Sequence, residues 1–144
     1  MTKKLFAFTL LEMLVTLVLI AILSSIAMAN YQQQVMKTRR LDAKESLMKL
    51  ATKQEKYYNQ HLSYSADLVS IDGLNHGSEF SDRHFYQLSV TIKQVASDGI
   101  DSFILKAVAI NSQSKDKECQ QFVISQTSQK QALDENGNSN PLCW

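Results

Sequence analysis

Glycine and proline are scarce in this chain, with four glycines and one proline in 144 residues, none of them before Gly73. Nothing in the first 72 residues therefore forces a helix to stop, and a very long first helix is the default. Charge of one sign is also missing, with 15 Lys+Arg against 14 Asp+Glu. Residues 1–30 hold two of the basic residues, Lys3 and Lys4, and one of the acidic ones, Glu12, so the remainder carries 13 of each. Bulk attraction to nucleic acid is absent on that count. The length allows one domain and excludes a large multi-domain enzyme. Catalytic signatures are lacking as well: there is no Gly-rich phosphate loop, no G-x-S-x-G, no H-E-x-x-H and no Cys/His pair placed for nucleophilic work. His76, Asp82 and His84 are the nearest approach to a metal set, but two loop histidines without tight spacing are ordinarily surface residues. No catalysis, metal or cofactor is expected.

What is present begins at the N-terminus, where a mean hydropathy of −0.19 hides a strongly apolar start. Phe8 to Ala29 is a stretch of 22 residues with one charge, Glu12. A helical rise of ~1.5 Å per residue makes it about 33 Å long, enough to cross a hydrocarbon core of roughly 30 Å. Lys3 and Lys4 precede it, which gives the outline of an export signal. Lys37, Arg39, Arg40 and Lys44 on the far side outnumber them, so the positive-inside count does not decide orientation. The cysteines arbitrate. Cys119 and Cys143 are not arranged as CxxC and have no His at ligand spacing, so a single disulfide is the economical reading. It requires an oxidising compartment for the C-terminal side and adds about 3 kcal/mol on the chain-entropy account. Ala27-Met28-Ala29 would let an ordinary signal peptidase cut before Asn30 and release a soluble protein, but Glu12 inside the apolar stretch argues against that.

Beyond the apolar stretch, residues 42–58 are rich in helix formers, with Ala43, Leu47, Leu50, Gln54 and Tyr57 at helical spacing and Met48, Ala51, Tyr58 and Leu62 broadening the stripe. The first helix is predicted from about Thr9 to about Leu62, with one half facing lipid and the other amphipathic. Ser63 to His84 is polar, with turn signals at Asp72-Gly73 and His76-Gly77, and reads as a surface connection. Tyr86, Leu88, Val90 and Ile92 then alternate with polar residues, and the run Phe103 to Ile110 follows after Asp98-Gly99, which predicts a hairpin. Cys119 to Ser125 supplies a third strand and Gln129 to Leu133 a fourth. A sheet with one apolar face needs a lid, and the amphipathic half of the helix is the only element long enough. The expected fold is α+β, a long N-terminal helix packed on an antiparallel sheet of about four strands.

Lys3-Lys4-Leu5-Phe6-Ala7 followed by Phe8-Thr9-Leu10-Leu11-Glu12-Met13-Leu14-Val15 resembles the class III signal of type IV prepilins. The resemblance implies cleavage between Ala7 and Phe8 by the prepilin peptidase and N-methylation of Phe8. It makes Glu12 the fifth mature residue, which in the family pairs with the amino terminus of a neighbouring subunit during assembly. A carboxylate near a bilayer costs about 2.5–3.5 kcal/mol on insertion scales and persists only with a partner, although the positive end of the helix dipole offers a more modest one. Residues 39–64 and the terminal Cys143-Trp144 are similar to minor pilins of the PilE/ComP-like group. Ala7 stands where the family usually has Gly. Ala21 and Ala29 stand near the Gly and Pro of many major pilins, and their helix-loosening effect is missing here.

The resemblance divides the chain into a leader (1–7), a transmembrane and assembly helix (8–29) and a periplasmic head (30–144). It implies a minor type IV pilin that is structural, sits in the inner membrane before assembly and in the pilus afterwards, and has other major and minor pilins as partners. A type II secretion pseudopilin and a DNA-uptake receptor pilin are the alternatives. Lys37, Arg39, Arg40, Lys44, Lys49, Lys53 and Lys56 crowd the helix, but Glu45 four residues before Lys49 reads first as a solvated, self-paired face. A DNA receptor calls for a basic stripe on the exposed side of the head with aromatics beside it, which the sequence does not show. Tyr57, Tyr58 and Trp144 read as core aromatics before contact residues.

Overall fold

Without a helix breaker, the chain forms one uninterrupted helix, α1 (Leu10–His61), in a computed structural model that describes residues 9–93 and 101–144. Thr9 caps its start: Oγ1 accepts a hydrogen bond from the Glu12 N–H at 3.2 Å, satisfying one of the free donors of the first turn. The helix stops where Leu62 turns left-handed (φ 56°), its N–H still donating to the Tyr58 carbonyl at 2.8 Å. That reversal carries the Leu62 side chain into solvent, 80% exposed, so it does not extend the packing stripe as its spacing predicts. The chain divides into two compact units, one ending at Val35 and the other spanning Met36–Trp144.

In the second unit the predicted stripe is largely realised. Ala43, Leu47, Leu50 and Gln54 are fully buried and Ala51, Tyr57 and Tyr58 half-buried, while Met48 is exposed on the outer face beside Leu41. Four strands follow: β1 (Tyr86–Lys93), β2 (Ser102–Ala109), β3 (Gln121–Ser125) and β4 (Lys130–Leu133). They pair in sequence order, antiparallel throughout, with Tyr86 opposite Ala109, Ala107 opposite Phe122 and Phe122 opposite Ala132. The expected hairpin turn at Asp98-Gly99 lies outside the described residues. Period-two alternation sends Tyr86, Leu88, Phe103, Leu105, Ala107, Phe122, Ile124 and Ala132 inward against the helix stripe. Each large side chain in such a core is worth about 2–5 kcal/mol against truncation to Ala.

The segment between α1 and β1 is more than a surface connection. Tyr64, Leu68 and Leu74 are buried in the core, and Ser65 and Ser81 are buried with them. Polar composition concealed this, because three apolar side chains suffice to close the open end of the sheet while the rest of the loop stays wet. Gln54 holds the loop at the helix, donating from Nε2 to the Ser65 carbonyl at 2.7 Å and accepting from the Ser65 N–H at 3.1 Å. Gly73 is required by close approach: a Cβ there would lie 2.5 Å from the Asp67 carbonyl oxygen.

Candidate functional site

The first part of α1 is apolar and outward-facing, with Leu10, Leu11, Met13, Leu14, Leu17, Ile20, Leu23 and Ile26 all exposed. Within it Thr16 donates to the Met13 carbonyl at 2.8 Å and Ser25 to the Ile22 carbonyl at 2.7 Å, so the hydroxyls are satisfied by their own helix. By length and composition this is the one candidate membrane span among the described residues. Glu12 lies in the first helical turn with its side chain exposed, where the free N–H groups favour a negative charge. Ala7, Phe8, Lys3 and Lys4 lie outside the described residues.

At the other end of the chain Cys119 and Cys143 form the expected disulfide, Cα atoms 5.8 Å apart and both side chains buried. The bridge ties the short helical turn Pro141–Cys143 to the residues leading into β3, and Asn140 caps that turn by accepting from the Leu142 N–H at 3.2 Å. Trp144 follows directly. Its ring packs edge-on against Phe122, centroids 5.6 Å apart, half-buried at the rim of the core.

The crowded cations of α1 separate once the chain folds. Glu45 does pair with Lys49 at 2.9 Å, but Lys49 also meets Asp82 at 2.6 Å, and the two acids together hold its ammonium well above the ordinary lysine range. Arg40 reaches Asp116 and Glu118. Burial alone would depress its charge, and the hydrogen bonds to Asp116 and Glu118 outweigh that, so its pKa is raised. Arg39 lies over the Phe85 ring, 4.4 Å from its centroid, and donates to Ser112, while Lys53 donates to the Asn75 carbonyl. Several other acids have partners too. Asp42 accepts from the Ser81 hydroxyl and the Arg83 N–H, Asp67 and Asp134 accept from loop donors, and Glu135 pairs with Lys117. Two places carry lysines apart from these carboxylates. The outward face of the sheet, from Gln87 across Lys106 and Val123 to Gln131, carries Lys93 and Lys106 and no Asp or Glu. The rim around Trp144 carries Lys44 and Lys130, again without a carboxylate partner among the described residues.

His76, Asp82 and His84 do not converge. His76 Nε2 lies 3.3 Å from the Phe80 carbonyl, His84 stacks on the Phe80 ring, and Asp82 is held by Lys49. Among the described residues no three His, Cys, Asp or Glu side chains cluster as a metal site would require.

Residues 3–28 match the family model described as the prokaryotic N-terminal methylation motif. Residues 29–123, about two-thirds of the chain, match the one described as type IV minor pilin ComP, DNA uptake sequence receptor. The chain belongs to this family of minor pilins. No curated protein matches the chain. Membership makes the pilin a structural protein in kind, and its class III signal and apolar helix fit membrane anchoring and pilus assembly. The long helix on a four-stranded antiparallel sheet is the pilin fold expected from the sequence. Sequence reasoning missed the placement of Lys130 beside Trp144. Lys130 lies in the weakest of the four strand signals and far from both Lys44 and Trp144 in the chain, so no local pattern joins the three.

Proposed function

We propose that this minor pilin is a DNA receptor carried on a type IV pilus. It is made as a prepilin, cut between Ala7 and Phe8 by the prepilin peptidase and methylated at Phe8. Residues 8–29 hold it in the inner membrane with residues 30–144 on the periplasmic side, and it then enters a filament with other major and minor pilins at the cell surface. Glu12 pairs there with the amino terminus of a neighbouring subunit, while apolar contacts of residues 8–29 with other pilin helices supply most of the driving force. One observation carries the reading: a methylation motif over residues 3–28 runs directly into a match over residues 29–123 to a family described as a DNA uptake sequence receptor. The partition of charge supports it, since a net balance near zero is compatible with DNA binding where Asp82, Asp116, Glu118 and Glu135 are paired with cations and Lys44 and Lys130 have no carboxylate partner among the described residues.

Two measurements test this. Mass spectrometry of the protein from sheared filaments is expected to return methylated Phe8 as the first residue; an Asn30 start with nothing in the filaments would make it a released periplasmic protein. Gel retardation of duplex DNA by the full chain in a neutral detergent is expected at low salt and should weaken as salt rises. No retardation at low salt would remove the receptor role and leave a filament subunit.

A further inference from the structure

Lys44 on α1 and Lys130 on β4 converge on one indole. Lys44 Nζ lies 5.9 Å and Lys130 Nζ 5.4 Å from the centroid of the Trp144 ring, and Lys44 is also 5.9 Å from the Phe122 centroid. Neither amine has a carboxylate partner among the described residues, although acids elsewhere in this unit are matched to Arg40, Lys49 and Lys117. Burial first, then the charges of Arg40 and Lys130, push the Lys44 pKa below the ordinary lysine range. Arg40 is committed to Asp116 and Glu118, so two amines are left sharing one ring. The ring itself offers each a modest attraction, about 0.5–1 kcal/mol at an exposed site, which does not neutralise either charge. The Trp144 Nε1 is buried and has no acceptor among the described residues, so no hydrogen bond from its N–H holds the indole.

We propose that Lys44 and Lys130, set around Trp144, form a clamp for a backbone phosphate of DNA. A phosphodiester carries one negative charge and accepts from both amines, relieving their mutual repulsion while the indole closes the floor of the site. The clamp rests on the DNA-receptor reading and deepens it by naming where the backbone is gripped. Because it holds phosphate rather than a base edge, it sets the register of the duplex without reading its sequence. The basic and aromatic neighbourhood that a linear reading could not find is here assembled from α1, β4 and the disulfide-anchored end of the chain.

Trp144 is the only tryptophan in the chain, so its fluorescence reports on this site alone. The full chain in a neutral detergent is titrated with short duplex DNA of two unrelated sequences, for the parent and for Lys44→Gln and Lys130→Gln. Lys130 is exposed on an edge strand, so its substitution leaves the fold intact, which an unchanged far-ultraviolet circular dichroism spectrum verifies. Saturable change in Trp144 emission is expected with both duplexes. Each substitution should lower the slope of log affinity against log salt by about one, equally for the two sequences. DNA retarded with unchanged Trp144 emission and with parental slopes in both variants would overturn the clamp while leaving the receptor reading in place. Failure of the parent to bind DNA at all would remove both. An emission change with phosphatidylglycerol micelles and none with duplex DNA would assign the site to lipid headgroups and overturn the clamp as well.

Discussion

Arg40 and Asp116 meet in a two-pronged ion pair, Nε to Oδ2 at 2.6 Å and Nη2 to Oδ1 at 2.7 Å, with the arginine side chain 11% and the aspartate 2% exposed. Gln113 Nε2 donates to Asp116 Oδ2 and to the Tyr86 hydroxyl oxygen, each at 3.1 Å, so helix, loop and first strand share one buried polar junction. Burial raises the Tyr86 pKa beyond the ordinary phenol range, and its hydroxyl stays neutral as the Gln113 partner. Removing one member of such a pair strands the other. Asp116→Ala is expected to cost about 3 kcal/mol, and Arg40→Met combined with Asp116→Leu distinctly less, because the double change leaves no buried charge uncompensated and Glu118, which also loses Arg40, is exposed to solvent. Urea unfolding of the full chain in detergent checks both. A loss under about 1 kcal/mol for Asp116→Ala would mean that the junction is not an energetic anchor.

Replacing Cys119 and Cys143 together by Ser should lower stability by about 2–4 kcal/mol, since the loop between them is no longer closed in the unfolded chain. The loss should appear first at residues 141–144, as a rise in Trp144 mobility seen by fluorescence anisotropy. Processing at Ala7 should be untouched. Protease resistance equal to the parent's would count against a stabilising role for the bridge.

Acid should loosen two loops before the sheet. Asp67 accepts from the Ser70 hydroxyl and from the Ser70 and Val69 N–H groups, and Asp134 accepts from the Asn138 N–H and side chain and the Asn136 N–H; in both cases these bonds lower the pKa below the ordinary 3.8. The folded value lies below the unfolded one, so the stabilisation is present above the ordinary aspartate pKa and lost as pH falls through the folded value. Amide hydrogen exchange at 67–70 and 134–138 should therefore rise as pH drops below about 4, relative to the intrinsic rate, while β2 stays protected. Asp67→Asn should remove the pH dependence of the first loop. Simultaneous loosening of loops and strands would show that acid acts elsewhere.

Glu12→Gln and Glu12→Ala should leave membrane insertion intact and reduce the share of the protein recovered in filaments. The Thr9 cap on the Glu12 N–H uses only backbone at position 12, so neither substitution removes it. Quantification of the protein in sheared filaments against membranes measures the effect. Normal incorporation of both variants would sink the pairing with a neighbouring amino terminus and leave Glu12 as a charge suited to a helix N-terminus.

Periodicity predicts burial correctly where one element's own neighbours dominate. Ala43, Leu47 and Leu50 are buried because a helical stripe has only one way to face a sheet, and the inward positions of β1 to β4 follow from alternation in the same way. Leu62 and Met48 fit the helical period yet are exposed, the first because the backbone reverses there, the second because the buried arc is narrower than the apolar one. Leu68 and Leu74 were hidden in polar sequence, where nothing marks which apolar side chain a loop will turn inward.

By itself the amino-acid order determined the long unbroken helix, the four strands, the disulfide and the prepilin-like start, all properties of residues that are near neighbours or, for the cysteines, of a pair with no rival partner. Apart from Glu45 with Lys49, one helical turn apart, tertiary structure alone decided which charges meet. A salt bridge such as Arg40 with Asp116, or the convergence of Lys44 and Lys130 on Trp144, depends on where distant segments are brought by packing. Coulomb energy falls with distance in space rather than in sequence, so a balanced list of charges becomes a patterned surface only when the chain has folded.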